Sequence, residues 1–152
     1  MADKTNILYD FLIRHVWHRI SRMYNQKACE HNMTMSIGFI LMIVDKDGTP
    51  STQIGPRMGM EPTSLSRTLK AMEERNLIRR QLDEIDKRKV LILLTNEGIE
   101  YRRLVRQTIL DFNEKILTKI SKDKLDIFYE VINQMDNLVE EELKSNSKKS
   151  NS

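Results

Sequence analysis

A chain of 152 residues with formal charge +3 has room for one compact domain, at roughly 150 residues each. Apolar residues make up 39% and charged residues 31%, a lean, charged mixture that suits a protein with much helical surface or one that completes its core by association. The longest apolar run, residues 37–44 with Gly38 included, falls far short of the roughly 18 residues of a membrane helix, so no membrane partner is expected. Asp3, Lys4, Asn6 and Asp10 stand where a secreted protein would carry an apolar segment, and the expected compartment is the cytoplasm. Cys29 is the single cysteine, which excludes an internal disulfide and a cysteine-based zinc cage.

Ile7, Leu8, Phe11, Leu12, Val16, Ile20, Met23 and Tyr24 recur at helical spacing without proline or glycine between them. They predict one long helix over residues 7 to about 29. Thr34 is placed to cap a second helix reaching residue 44, closed by Asp45, Lys46, Asp47 and Gly48, a composition that tolerates tight backbone. Ser51 or Thr52 caps a short third helix to residue 58, which Pro56 should bend or shorten and Gly59 should stop. Pro62 suits the first turn of a fourth helix to about residue 75, and Asn76 can take the left-handed conformation that ends it. The period then changes, for residues 77–82 and 89–94 are two β-prone runs around the charged stretch 83–88, a hairpin pattern. Thr95 caps a fifth helix marked by Leu104, Ile109, Phe112, Ile116 and Ile120. Ser121 and Asp123 signal a break before a last apolar stripe of Leu125, Phe128, Val131, Ile132, Met135, Leu138, Val139 and Leu143. Residues 145–152 are only Ser, Asn and Lys and are expected to be a disordered tail.

Charge concentrates in the middle of the chain. Residues 51–95 hold nine bases against six acids, whereas the flanks nearly cancel, so an anionic partner would meet the middle first. At about 100° per residue, Leu65, Leu69 and Met72 fall within about 60° of one another on the fourth helix, and Thr63, Arg67 and Lys70 lie opposite, flanked by Ser64 and Ser66. A short helix, the turn Gly59-Met60-Glu61 and this helix form a helix-turn-helix pattern, in which the second helix lies in the major groove. Arginine there can hold guanine O6 and N7, and hydroxyls can bond bases or phosphates. The hairpin that follows would act as a wing, with Lys87, Arg88 and Lys89 reaching a backbone or a minor groove.

The order Ile54, Gly59, Pro62, Thr63, Ser64, Leu65, Ser66, Arg67, Leu77, Ile78, Asp86, Arg88, Leu94, Thr95 and Gly98 resembles the winged-helix core of the MarR family of bacterial transcription regulators. Its most specific part is an aspartate two before an arginine at the wing tip, followed by a strand ending in Leu-Thr and a glycine. The resemblance spans roughly residues 7–143. It implies a mainly α winged helix-turn-helix fold with a two-stranded hairpin wing and long N- and C-terminal dimerisation helices. It also implies the recognition helix, with Pro62, Thr63, Ser64, Ser66, Arg67 and Lys70, in the major groove, Arg88 in the minor groove, and Asp86 bracing the wing. Glu61, Pro56 and Asn76 depart from the family pattern; the last is benign, since asparagine tolerates positive φ.

A dimer follows from the residues as well. Ile13 and Trp17 in the first helix, and Ile127 and Leu143 in the last, lie outside a single stripe, and a partner chain would bury them. Two-fold symmetry then predicts a pseudopalindromic operator in double-stranded DNA, with half-sites roughly 10 base pairs apart. Trp17, Met33, Met35 and Met42 are candidates for a small-molecule effector cleft. His15 with His18 could suggest a metal, and Cys29 a redox sensor, but no matching ligand set or basic cluster accompanies them; no metal or cofactor is expected. Phosphate-cradling glycine loops and nucleophile elbows are absent, so no enzyme is expected.

The expected organisation is a single MarR-like domain over 1–144, with a winged core at about 34–95 and dimerisation helices at about 6–30 and 96–144. The expected function is a cytoplasmic, sequence-specific DNA-binding regulator, a repressor released by a small-molecule or stress signal. The rival is a winged-helix dimer used as a protein-binding module, which needs no cationic face.

Overall fold

The computed structural model describes residues 7–149. By internal contact the chain divides into two units, the first ending at Gln107 and the second beginning at Thr108. The first contains α1 (Tyr9–Cys29), α2 (Met35–Ile43), β1 (Thr49–Pro50), α3 (Ser51–Met58), α4 (Pro62–Glu74), β2 (Ile78–Leu82), β3 (Val90–Leu94) and the opening turns of α5 (Asn96–Lys119). The second contains the rest of α5 and α6 (Lys122–Lys149).

Helix α2 is apolar nearly all round, the pattern of a helix enclosed by others, and Ile37, Gly38, Ile40 and Leu41 are buried in it. Its first turn is held by Thr34, whose Oγ1 accepts from the Ile37 amide at 3.3 Å, the cap expected at that residue. Its last carbonyls would be left without partners. Two arginines supply them: Arg102 donates to Val44 O at 2.9 Å and Met42 O at 3.4 Å, and Arg57 to Ile43 O at 3.3 Å. Around α2 the core gathers Met33, Val44, Ile54, Leu65, Leu69, Met72, Leu77, Ile78 and Ile92.

The sheet has three antiparallel strands in the order β1-β3-β2, not the expected two. The hairpin register runs from Ile78 opposite Leu94 to Leu82 opposite Val90. The added strand pairs Thr49 with Ile92 and Pro50 with Leu91. Two residues, one of them a proline without an amide donor, are too short to show a period of two. Pro50, not Ser51 or Thr52, is also the residue that precedes α3, and no side chain caps that helix. As expected, α3 is short, contains Pro56 and stops at Gly59 with φ +59°.

Thr49 is fully buried. Its hydroxyl donates to Asp45 Oδ2 at 3.1 Å and accepts from the Asp45 amide at 2.8 Å, which locks the α2–β1 turn. Thr49→Val keeps the shape and removes both bonds, so a loss of about 1 to 3 kcal/mol in urea unfolding is expected; a loss below about 0.5 kcal/mol would show that the turn holds without them.

Helix α6 continues to Lys149, past residue 145 where a disordered tail was expected. Ser145 Oγ and Ser147 Oγ donate to the carbonyls of Glu142 and Leu143 at 2.9 Å, so serines that favour turns are here absorbed into the helix. Residues 150–152 lie outside the described residues. The break before α6 falls at Ser121, whose carbonyl accepts from the Leu125 amide at 3.1 Å. Helix α1 has no buried residue, and its Phe11, Val16 and Trp17 are half or more exposed. The same holds along α6 for Ile127, Phe128, Leu138 and Leu143.

Candidate nucleic-acid interface

Glu61 enters α4 in an extended conformation and Pro62 takes the first helical position, where its missing amide costs nothing. The helix buries Leu65, Leu69 and Met72 and leaves Pro62, Thr63, Ser64, Ser66, Arg67 and Lys70 exposed. Asn76 follows with φ +54°, the left-handed stop expected there. Lys70 Nζ lies 3.9 Å from Glu74 Oε1 with both side chains in solvent, a pairing too weak to hold the lysine. Glu73 turns instead to Arg80 on β2 at 3.1 Å, so an acid that would repel phosphate is drawn toward the sheet while it ties α4 to the wing strand.

Not all nine bases of the middle segment are available to an anion. Arg57 is engaged with Asp45 and the end of α2, Arg80 with Glu73, and Arg75 with the carbonyls of Asn32 and His31 in the α1–α2 turn. Arg79 donates to Gln81 Oε1 at 2.6 Å but stays exposed, and a neutral partner leaves its charge uncancelled. Total charge therefore overstates the interface, which narrows to Arg67, Lys70, Arg79 and the wing tip.

At the wing tip the Lys89 amide donates to Asp86 O at 2.8 Å and the Asp83 amide to Lys89 O at 3.0 Å. Asp86 Oδ1 accepts from the Arg88 amide at 3.2 Å, and its Oδ2 lies 3.8 Å from Lys89 Nζ. Lys87, Arg88 and Lys89 are exposed. Asp83, not among the residues expected to shape the wing, organises the turn. Its Oδ1 accepts from the amides of Ile85 at 2.8 Å and Asp86 at 2.7 Å, the two- and three-residue reach that marks an aspartate-initiated turn. These amide bonds, to Asp86 first and Ile85 second, outweigh partial desolvation and, helped by the charges of Lys89 and Lys87, hold its carboxyl below the usual carboxylate value. A depressed value means the carboxylate supports the wing fully above an ordinary aspartate pKa of about 3.9 and fails as pH drops through the lower folded value. Hydrogen-exchange protection of the Ile85 and Asp86 amides should therefore persist from pH 7 to 5, fade below about pH 4, and be absent at pH 7 in Asp83→Ala. Equal protection in that variant would remove Asp83 from the role.

The four residues named for an effector cleft are dispersed in their environments. Met33 is 4% exposed and belongs to the core. Trp17 stacks on Phe39, with ring centroids 6.3 Å apart. The Met35 amide donates to Asn25 Oδ1 at 2.9 Å, and the Met42 carbonyl receives Arg102. A cavity of about 690 Å³ opens between α3 and α4, lined by Gly55, Met60, Leu65, Leu69 and Arg80 among others. Another, of about 350 Å³, lies over Phe11, Arg14, His15 and His18. Neither is lined by Trp17, Met33, Met35 or Met42. Among the described residues no group of three or more His, Cys, Asp or Glu could hold a metal ion, and no helix is long and apolar enough to cross a membrane. Cys29 is exposed at the end of α1.

With this geometry, residues 33–90, from just before α2 to the first residue of β3, match the model of the MarR family. The chain is 29% identical over 82 residues to the HTH-type transcriptional regulator TtmR of Methylorubrum extorquens (strain PA1), a match covering 53% of this chain and 42% of that relative. The chain thus spans less than half the length of that curated relative. The fold is shared with MepR of S. aureus solved in complex with DNA, at TM-score 0.78 and 21% identity over 87% of this chain and 98% of that one. It is shared too with the transcriptional regulator SlyA, at TM-score 0.77 and 18% identity over 90% and 96% of the two chains.

Proposed function

We propose that this chain is a MarR-type regulator: a homodimeric, sequence-specific double-stranded DNA-binding regulator of transcription, acting in the cytoplasm. One observation carries the reading: α4 buries its leucines and methionine and offers Thr63, Ser64, Ser66, Arg67 and Lys70 to solvent, on the unit that also holds the cationic wing. Arg67 reads base edges in the major groove, Lys70 and the hydroxyls position the backbone, and Lys87, Arg88 and Lys89 anchor the wing, with Asp86 bracing it. The DNA complex of MepR supports this use of the fold.

Residues 1–144 act as one MarR-like domain in this reading, with the winged core at about 34–95. The exposed apolar side chains of α1 and α6 support dimerisation through the helices at about 6–30 and 96–144, since a monomer would leave them in water. The dimer presents its two α4 helices to half-sites roughly 10 base pairs apart on a pseudopalindrome. Regulation is repression by occupancy of the operator, relieved by a small-molecule or stress signal; no catalysis, metal or cofactor enters the scheme.

The test is equilibrium binding to duplex DNA as salt is raised. Phosphate contact makes log affinity fall linearly with log salt, by about 0.9 for each phosphate neutralised. A winged helix used only to dock proteins binds no duplex even at low salt, and that result would overturn the reading.

A further inference from the structure

Ile85 is 97% exposed, more than any other large hydrophobic side chain described. It stands at the wing tip, three residues from Arg88, and its position is not loose, because its own amide is bound to Asp83 Oδ1 at 2.8 Å. Two of the three acids nearby are engaged by the turn itself, Asp83 by the amides of Ile85 and Asp86, and Asp86 by the Arg88 amide and Lys89, while Glu84 beside Ile85 is exposed. A branched hydrocarbon is thereby presented to solvent on a braced turn, amid three cations. Water is a poor partner for that surface, and nothing else on the wing covers it. Cations beside it suit a polyanion, and the groove walls of a duplex are apolar sugar edges between phosphates.

We infer that Ile85 is a specificity-determining contact residue, entering the DNA minor groove beside Arg88 and packing against its floor. This rests on the DNA-binding reading above. The minor-groove floor differs between pairs chiefly by the guanine N2 amino group. An inserted hydrocarbon clashes with that group and strips water from it without a hydrogen bond in return, whereas the floor of an A·T pair accepts it. Apolar side chains placed in the minor groove are a general device of proteins that read its width and its A·T content. Ile85 thus gives the wing a base preference that lysine and arginine contacts to phosphate do not supply.

The experiment uses the full-length protein and the duplex it selects from a random pool. Pairs in the minor groove flanking each half-site are set in turn to A·T, G·C and I·C; inosine keeps the major-groove edge of guanine and lacks the N2 amino group. The parent is expected to bind the A·T and I·C duplexes alike and the G·C duplex about fivefold or more weakly. Ile85→Ala is expected to bind the A·T duplex about threefold to tenfold more weakly, to lose most of the I·C over G·C ratio, and to keep the salt slope, since no phosphate contact is removed. Arg88→Ala lowers the slope by about 1 and retains an I·C preference. Because Ile85 makes no packing contact that the fold needs, Ile85→Ala should unfold at the parent's urea midpoint. An unchanged I·C over G·C ratio in Ile85→Ala, or a parent that does not distinguish the two, overturns the inference and leaves DNA binding standing. A parent that binds no duplex overturns both.

Discussion

Gly98→Ala is expected to destabilise the winged unit by about 3 kcal/mol or more, the range reached when an atom is forced into packed backbone. A Cβ at Gly98 would lie 2.0 Å from the Leu77 carbonyl oxygen and 3.0 Å from its carbon. Both are backbone atoms, so no rotamer change relieves the overlap. The contact is close because the first turn of α5 rests on the α4–β2 turn. The Thr95 amide donates to Leu77 O at 3.1 Å, the Thr95 hydroxyl donates to Asn76 O, and Thr95 Oγ1 accepts from the Gly98 amide at 3.0 Å. A side chain at Gly98 pushes α5 off this seat and takes the Asn76 stop of α4 with it. Gly38→Ala is the matched comparison: its Cβ would meet only the Val105 methyls at 3.4 and 3.5 Å, ordinary contact, and the helix gains alanine's better propensity. Urea unfolding should leave Gly38→Ala within about 1 kcal/mol of the parent and Gly98→Ala far below it. Equal midpoints for the two variants would show that α5 does not sit on the turn so tightly.

Arg67→Ala and Lys87→Ala are expected to fail in different ways. A bidentate contact to guanine contributes about 1 to 3 kcal/mol of discrimination, so Arg67→Ala should bind the selected duplex about 10- to 100-fold more weakly and discriminate less among base changes within each half-site. Lys87→Ala should weaken binding to all duplexes alike and lower the salt slope by about 1. Fluorescence anisotropy against a panel of single-base operator variants at three salt concentrations separates the two patterns. Parent-like binding by both would remove these residues from the interface.

Much of this arrangement is legible in the sequence because its determinants are local. The stripe Leu65, Leu69, Met72 sets which face of α4 is outward, and Thr34, Gly59, Asn76 and Thr95 mark ends of helices by their own chemistry. What escapes the sequence depends on distant partners. Strand β1 exists because Thr49 and Pro50 meet Ile92 and Leu91 some forty residues away. The tasks of Arg57, Arg75 and Arg102 are set by carbonyls 14, 43 and 58 residues distant in sequence, so charge alone does not separate them from Arg67. Met33 reads as one more methionine for a cleft until the core closes over it. Asp83 is the exception, since its bonds reach only two and three residues ahead, and an aspartate opening a polar hairpin tip is a recognisable turn former.

Selection of bound duplexes from a random DNA pool at moderate salt tests the central claim most directly, because the operator sequence emerges from the selection itself. A symmetric pair of α4 helices with flanking wings predicts a pseudopalindromic consensus whose half-sites lie roughly 10 base pairs apart. An enriched pool without symmetry, or a pool that never enriches, would contradict it.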